Sequence, residues 1–398
     1  MKLNSVKKLM VAVMAVGIGS SANAVSTKIG DTTLTIGGFV KANAMWTDYE
    51  DGGPLSGLSE EILVPSTIPV GDSSASEGYQ FDTHISTSRL GFKTATPTEN
   101  GNVSTNLEFD MLSKASASNL GNERISNSAV FRIRHAVLNW DFSENKTLTL
   151  GQTWSTFFNV GALPESVDFI GPTSGVIFNR QWQARITKKL DNGGKFMVAL
   201  ENPSSSVYGL SNNIDDNKVP DIVLRYSGKA GDLAYTVAGI VREIAYDNTA
   251  TGGDDDSVFG GGVSVSGKLA LSGKDDLKFM VSHGTLGRYI ALQAFQDADL
   301  EADGDLDLVD VTGGFIAYRH WWNNKTRSTF QYAMTTADLP DSLAGATTEE
   351  VSNLEVSLIT SPTKNLDLGT GFIQAKRELE NGTDGTLSRI QFFGKLKF

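Results

Sequence analysis

Arg389–Phe398 reads RIQFFGKLKF, and its alternation decides the fold. Ile390, Phe392, Leu396 and Phe398 are apolar on one parity; Arg389, Gln391, Lys395 and Lys397 are polar on the other. Successive strand side chains point to opposite faces, so this is a strand with one apolar and one charged face. Strands of soluble sheets run about 5–6 residues, whereas a strand crossing a bilayer needs about 9–11. This one has the second length. Upstream, Leu34, Ile36, Val40, Ala42, Ala44 and Trp46 alternate with Lys41 and Asn43. Val103, Thr105, Leu107, Phe109 and Met111 alternate with Asn106, Glu108 and Asp110.

The connections between such segments fall into two kinds. Short ones lie at 97–102, 143–146, 191–195, 228–232, 272–276, 322–325 and 361–365. Long ones lie at 49–80, 114–127, 153–172, 203–218, 246–256, 285–308, 337–348 and 379–386. Seven short turns and eight long loops alternate without exception, which gives sixteen strands. The expectation is an all-β, 16-stranded antiparallel transmembrane barrel, with short periplasmic turns and long extracellular loops. Closure leaves no unpaired backbone edge in lipid, and sixteen strands enclose an aqueous channel. Trp46, Trp140, Trp182, Trp321 and Trp322 stand near the expected strand ends, where aromatic girdles belong.

Residues 1–24 read as an export signal. Lys2, Lys7 and Lys8 precede an eleven-residue apolar run, Leu9–Gly19, and Ala22-Asn23-Ala24 fits the small-x-small cleavage pattern. Cleavage after Ala24 would leave 25–398, in which no Pro-rich linker or change of period marks a second domain. It would also leave 31 basic against 46 acidic residues. Such an acidic chain without basic runs argues against nucleic acid as a partner. Cysteine is absent, so disulfides and thiolate chemistry are excluded. His84, His135, His283 and His320 form no metalloprotease motif, and no nucleophile elbow or phosphate-cradling glycine loop occurs. No catalytic residue, resident metal or cofactor is expected.

The third long connection, Thr153–Pro172, reads TWSTFFNVGALPESVDFIGP. Its Phe157, Phe158, Val160, Leu163, Val167, Phe169 and Ile170 need an apolar surface. Folding into the barrel supplies one, makes this loop the constriction and places Glu165 and Asp168 in the lumen. Packing against a neighbouring subunit or the rim is the alternative.

Charges inside strands sort the same way. Lys41, Arg89, Arg132, Arg134, Arg185, Arg225 and Arg389 lie opposite apolar faces. A charge facing lipid near the midplane costs about 2–4 kcal/mol, so these residues are assigned to the lumen. Closure of the last strand on the first puts Lys41, Arg89 and Arg389 on neighbouring strands, as a basic wall. Guanidinium groups hold carboxylates bidentately, which favours anionic solutes. Glu108 and Asp110 also face inward and can pair with the arginines, so a purely structural charge lattice stays open.

Asp299–Asp310, DLEADGDLDLVD, resembles a Ca²⁺ loop, with Gly304 at the sixth place. Glu301 at the third place and Asp310 at the twelfth depart from that pattern. Acidic residues in an external loop also serve as plain solvated groups or as divalent-ion bridges to lipopolysaccharide.

Two further stretches carry a resemblance: Arg132–Trp140, RIRHAVLNW, and Leu150–Pro172, LGQTWSTFFNVGALPESVDFIGP. With Gly37–Trp46, GGFVKANAMW, and Ser88–Phe92, SRLGF, they resemble the DcaP-like family of trimeric outer-membrane porins. The resemblance implies a homotrimer embedded among outer-membrane lipids that passes small anionic solutes, dicarboxylates in particular, by passive diffusion. It also implies that the third loop is the constriction, with basic lumen residues opposite. Members can carry a coiled-coil extension before the barrel, whereas only Val25–Thr32 precedes the first strand here. Three other readings are a weakly cation-preferring general porin, an outer-membrane enzyme or adhesin, and a soluble β-rich periplasmic protein.

Overall fold

The computed structural model describes residues 24–53, 57–71, 78–112, 130–210, 217–249, 255–343 and 345–398. The expected signal, except Ala24, and the whole expected loop 114–127 lie outside the described residues.

Sixteen antiparallel strands close into a barrel. They are β1 (Thr32–Tyr49), β2 (Gly78–His84 continued by Arg89–Thr98), β3 (Gly101–Asp110), β4 (Arg132–Ser143), β5 (Lys146–Trp154) and β6 (Arg180–Lys189). Then follow β7 (Lys195–Glu201), β8 (Asp221–Ala230), β9 (Leu233–Asp247), β10 (Asp255–Ala270) and β11 (Asp276–Gly284). The series ends with β12 (Asp310–Trp321), β13 (Thr326–Asp338), β14 (Thr348–Thr360), β15 (Leu366–Leu379) and β16 (Asp384–Lys397). Each pairs with its neighbours in sequence, and β16 closes on β1 with Val40 opposite Leu396 and Thr47 opposite Arg389. Every expected short turn joins the strands between which the sequence placed it, and the described parts of the other long loops lie at the opposite ends.

The decisive alternation survives as geometry. Ile390, Phe392, Leu396 and Phe398 are exposed on the outer face, as are Val40, Leu224, Val263, Ile316 and Leu358 around the circumference. Apolar side chains exposed on every wall of a closed barrel belong against lipid, which disposes of the soluble reading. The inner parity carries Lys41, Gln183, Gln331, Glu355, Arg389 and Gln391, all buried.

Three departures from the sequence reading have physical causes. First, Val25–Ile29 is itself a strand, paired with Ile36–Thr32 of β1. β16 pairs only from Phe39 of β1 upward, so this ribbon covers the edge left bare below it. Second, a β-bulge falls between Glu108 and Phe109 of β3, opposite Arg134 of β4. The extra residue lets Arg134 and His135 both face inward, and from there the outward parity moves from Ile133 to Leu138 and Trp140. Third, Trp321 is on the lumen parity, with Arg327 and Arg319 at 5.1 and 5.8 Å from its ring, so it is no girdle residue. Trp46, Trp140, Trp182 and Trp322 do face outward.

The sixth loop, expected to lie wholly outside, is divided. Leu286, Tyr289, Ile290 and Phe295 are buried in one cluster with Phe157, Phe158, Val176 and Ile177 of the third loop. The two loops join through Phe178 N–H to Tyr289 C=O at 2.9 Å and Ala291 N–H to Val176 C=O at 3.3 Å. The acidic remainder forms a small outer sheet, in which Ala298–Leu300 pairs with Leu306–Leu308 and with Val207–Tyr208. The Ca²⁺-loop likeness fails here. The segment is a hairpin closed by Glu301 N–H to Asp305 C=O at 2.9 Å, and Asp299 accepts from Ser342 Oγ. No group of three potential metal ligands occurs among the described residues.

Candidate functional site: a lumen narrowed by three loops

The third loop crosses the barrel interior and is fastened to strands around it. Arg225 of β8 donates to Phe158 C=O at 2.8 Å, and Asn159 donates to Ser266 of β10 at 3.0 Å. Lys278 of β11 donates to Leu163 C=O at 2.6 Å. Glu165 accepts two 2.5 Å hydrogen bonds from Arg327 of β13. Glu355 of β14 accepts from Ser166 Oγ and Val167 N–H, at 2.7 and 2.9 Å. Lys41 of β1 and Gln391 of β16 both donate to Val167 C=O, at 2.6 and 3.1 Å. Beyond this, a Cβ on Gly175 would fall 1.9 Å from the Gly314 carbonyl oxygen, so the loop backbone lies directly on β12.

These contacts sort the expected residues. Lys41 and Arg389 share a region but face no open lumen. Lys41 is spent on the third loop, and Arg389 donates to Thr47 Oγ1 at 2.8 Å and to Ser59 C=O of the first loop at 2.7 Å. Their expected basic wall is replaced by two loop tethers, because loops cover that stretch of strand. Phe157 and Phe158 are buried anchors of the third loop, which gives them the apolar surface their sequence requires. Asp168 is buried as well, and its Oδ2 accepts from Leu63 N–H of the first loop at 3.2 Å. Glu165 keeps partial exposure and sits between Arg327 and Arg319. Burial alone would raise its carboxyl, but hydrogen bonds and charge from Arg327 hold it below the usual carboxylate range.

The structure does bring one basic group together, on the long-loop side of β2–β6. Arg132 grips Asp110 with two 2.9 Å bonds. Arg134 donates to Glu108 at 2.7 Å and to Asp110 at 2.6 Å, while Arg89 stands 4.0 Å from Glu108. Arg180, absent from the sequence reading, completes the group with its guanidinium 4.4 Å from the Trp154 ring. Phe169 of the third loop lies beneath, 5.5 Å from Arg134 and 5.9 Å from Arg89. Four cations face two carboxylates, and the exposure is uneven. Glu108 and Asp110 are 1% and 0% exposed, against 22% for Arg89 and 34% for Arg132. Arg185 sits apart on β6, in register with Ala199, and its Nε, like Arg89 Nε and Arg180 Nη1, makes no hydrogen bond among the described residues.

Parity did not reveal Arg180: it shares the even parity of the outward Trp182 and Ile186, and it joins the group because it is the first residue of β6, beside Trp154. Arg319 and Arg327, by contrast, share the inner parity of their strands.

The fold is that of known outer-membrane channels. It superposes on the crystal structure of the outer membrane channel DcaP of Acinetobacter baumannii with a TM-score of 0.75 and 20% identity, covering 94% of this chain and 99% of that one. OmpF of Salmonella typhi, in complex with daunomycin, gives a TM-score of 0.61 at 10% identity, over 94% and 100% of the two chains. An anion-selective porin from Comamonas acidovorans gives 0.57 at 11%, over 92% and 100%. A comparison with curated protein sequences finds no match. The family model for the DcaP outer membrane protein matches residues 31–398, nearly the whole of the barrel. With its closed sixteen-strand wall and inward third loop, the chain belongs to the DcaP outer membrane protein family.

Proposed function

We propose that this integral outer-membrane channel passes small anionic solutes by passive diffusion, with a preference for carboxylates and dicarboxylates. One observation carries the reading: around Arg132 both carboxylates are buried, whereas Arg132 and Arg89 keep partial exposure to water. Selectivity follows the local field of pore-facing groups, not the chain's total charge. The net charge of −12 therefore does not decide the matter. Beside the same cluster, Arg89 Nε and Arg180 Nη1 are buried without a hydrogen-bond partner among the described residues, so positive charge there is incompletely compensated. The Comamonas porin bears the description anion-selective, in line with this reading.

The same reading includes a homotrimer and removal of residues 1–24 on export. β3 and β5–β8 run 7–10 residues, whereas β9, β10 and β13–β16 run 13–16. The lower wall, with exposed Ile133, Leu138, Trp182 and Ile186, is the side we assign to the subunit contact. The test is the reversal potential of purified protein in a planar bilayer under a KCl gradient. Chloride preference is expected, and a clear potassium preference overturns the proposal.

A further inference from the structure

We propose a second anion subsite at the periplasmic ends of β10–β16, in which Glu165 of the third loop occupies the place a solute carboxylate takes. This rests on the channel reading but not on the cluster around Arg132.

A chain of ion pairs runs around the short-turn end of these strands. Lys397 and Lys395 reach Asp367 at 2.7 and 3.4 Å. Arg327 spans from Asp367, at 3.8 Å, to Glu165. Arg319 stands 3.8 Å from Glu165 and bonds Asp276, which Lys268 approaches at 3.6 Å. Adding Lys278, fastened to the loop at Leu163, six cations meet three carboxylates. Neighbouring strands lie about 4.8 Å apart, so these charges form a continuous cationic strip.

The surplus faces water. Asp276 and Asp367 are buried at strand starts, while Lys268, Lys395, Lys397 and Arg319 keep partial exposure. Two donors inside the strip are also unspent, since Trp321 Nε1 and Arg319 Nε have no hydrogen-bond partner among the described residues. Both lie beside Arg327, whose guanidinium is 5.1 Å from the Trp321 ring.

Glu165 differs from the other two carboxylates. It belongs to a loop, not a barrel strand, and it retains 23% exposure. Its bidentate grip on Arg327 is the geometry a free carboxylate would adopt. A monovalent anion entering here only exchanges one carboxylate for another. A dianion can displace Glu165 from Arg319 or Arg327 and still engage Lys395 or Lys397, so the subsite favours solutes with two charges.

The test uses the full-length protein in planar bilayers, with succinate, inorganic phosphate or acetate added to one chamber at a time. Glu165→Gln should lengthen dianion-induced current blocks from the periplasmic chamber. Lys395→Gln with Lys397→Gln should shorten them about three- to fivefold, the effect of weakening partly exposed pairs. Arg132→Gln should alter only entry from the extracellular chamber. Heat-modifiable migration of each variant confirms the folded barrel. Unchanged periplasmic blocks in both variants, changes of the same sign in both, or an equal response to acetate overturns the subsite. Potassium preference of the wild type would instead overturn the selectivity reading, which the chamber-specific comparison leaves separate.

Discussion

Arg134 of β4 bonds Glu108 and Asp110 at once, at 2.7 and 2.6 Å, from a position only 1% exposed. The bulge that turns Arg134 inward beside His135 makes this double contact possible. Arg132, two residues earlier, shares Asp110 but keeps a third of its surface in water. The two arginines therefore have different work, and substitution should separate them.

Arg134→Ala leaves two buried carboxylates without their shared counterion. Breaking a buried pair costs about 3–5 kcal/mol, so the heat-modifiable transition should fall markedly. Arg132→Ala removes a half-exposed partner and should cost about 1 kcal/mol or less. It should instead move the reversal potential toward potassium. Equal thermal shifts in the two variants would contradict this division.

The acid side of the pH profile follows from Glu165. Its carboxyl is held below the ordinary value of about 4.3. A depressed folded pKa gives stabilisation that is present above the unfolded value and lost as pH falls through the folded one. The loop tether to Arg327 should thus persist from pH 8 down to about 5. Conductance and reversal potential should stay flat across that window. Below the usual carboxylate range, neutralised Glu165 should release Arg327 and raise anion preference.

Lys41 gives a different signature. Its ammonium is buried and bonds the carbonyls of Val167 and Asp168, at 2.6 and 3.2 Å. Lys41→Met keeps the bulk and removes these bonds, which leaves Val167 C=O with Gln391 alone and takes the ammonium donor from Asp168 C=O, at a cost of about 1–3 kcal/mol. The third loop should then sample wider positions, seen as noisier single channels and faster uptake of neutral sugars. A quiet channel of unchanged conductance would show that the remaining tethers suffice.

Much of this architecture was legible because lipid leaves few choices. A strand that spans a bilayer must alternate and must pair on both edges, so the pattern of RIQFFGKLKF and the order of turns and loops carried the strand count. The inward third loop was legible for a related reason: FFNV and DFI cannot rest in water. The same criterion applied to LGRYIALQAF at 286–295 identifies the sixth loop too, but the acidic run after it drew the reading outward. Parity could also have exposed the bulge, because Ile133 and Leu138 cannot both face lipid on an unbroken strand. Depth was not legible. Alternation says that Lys41 and Arg389 face inward, but only the path of the loops decides that they are covered while Arg89 and Arg132 are not.

The sixth loop offers the last prediction. Asp297 takes two bonds from Arg242 of β9, at 2.6 and 3.1 Å, and a third from Arg288 N–H at 3.1 Å. Arg242 itself reaches Ser204 C=O of the fourth loop at 2.8 Å, so this fully buried pair locks two loops to the wall. Asp297→Asn keeps the shape but leaves the Arg242 guanidinium with a neutral partner. Only Asp221, at 3.4 Å, remains as a nearby carboxylate. The segment around Tyr289 and Phe295 should loosen from the third loop, since its remaining hold there is apolar packing and the two backbone hydrogen bonds Phe178–Tyr289 and Ala291–Val176. The expected result is faster proteolytic cutting near 286–297 in intact outer membranes, together with higher single-channel conductance. The chloride preference should be unchanged, because the exposed arginines of β2–β6 are untouched. A shift in reversal potential as large as that of Arg132→Ala would place the sixth-loop lock inside the selectivity site and contradict their separation.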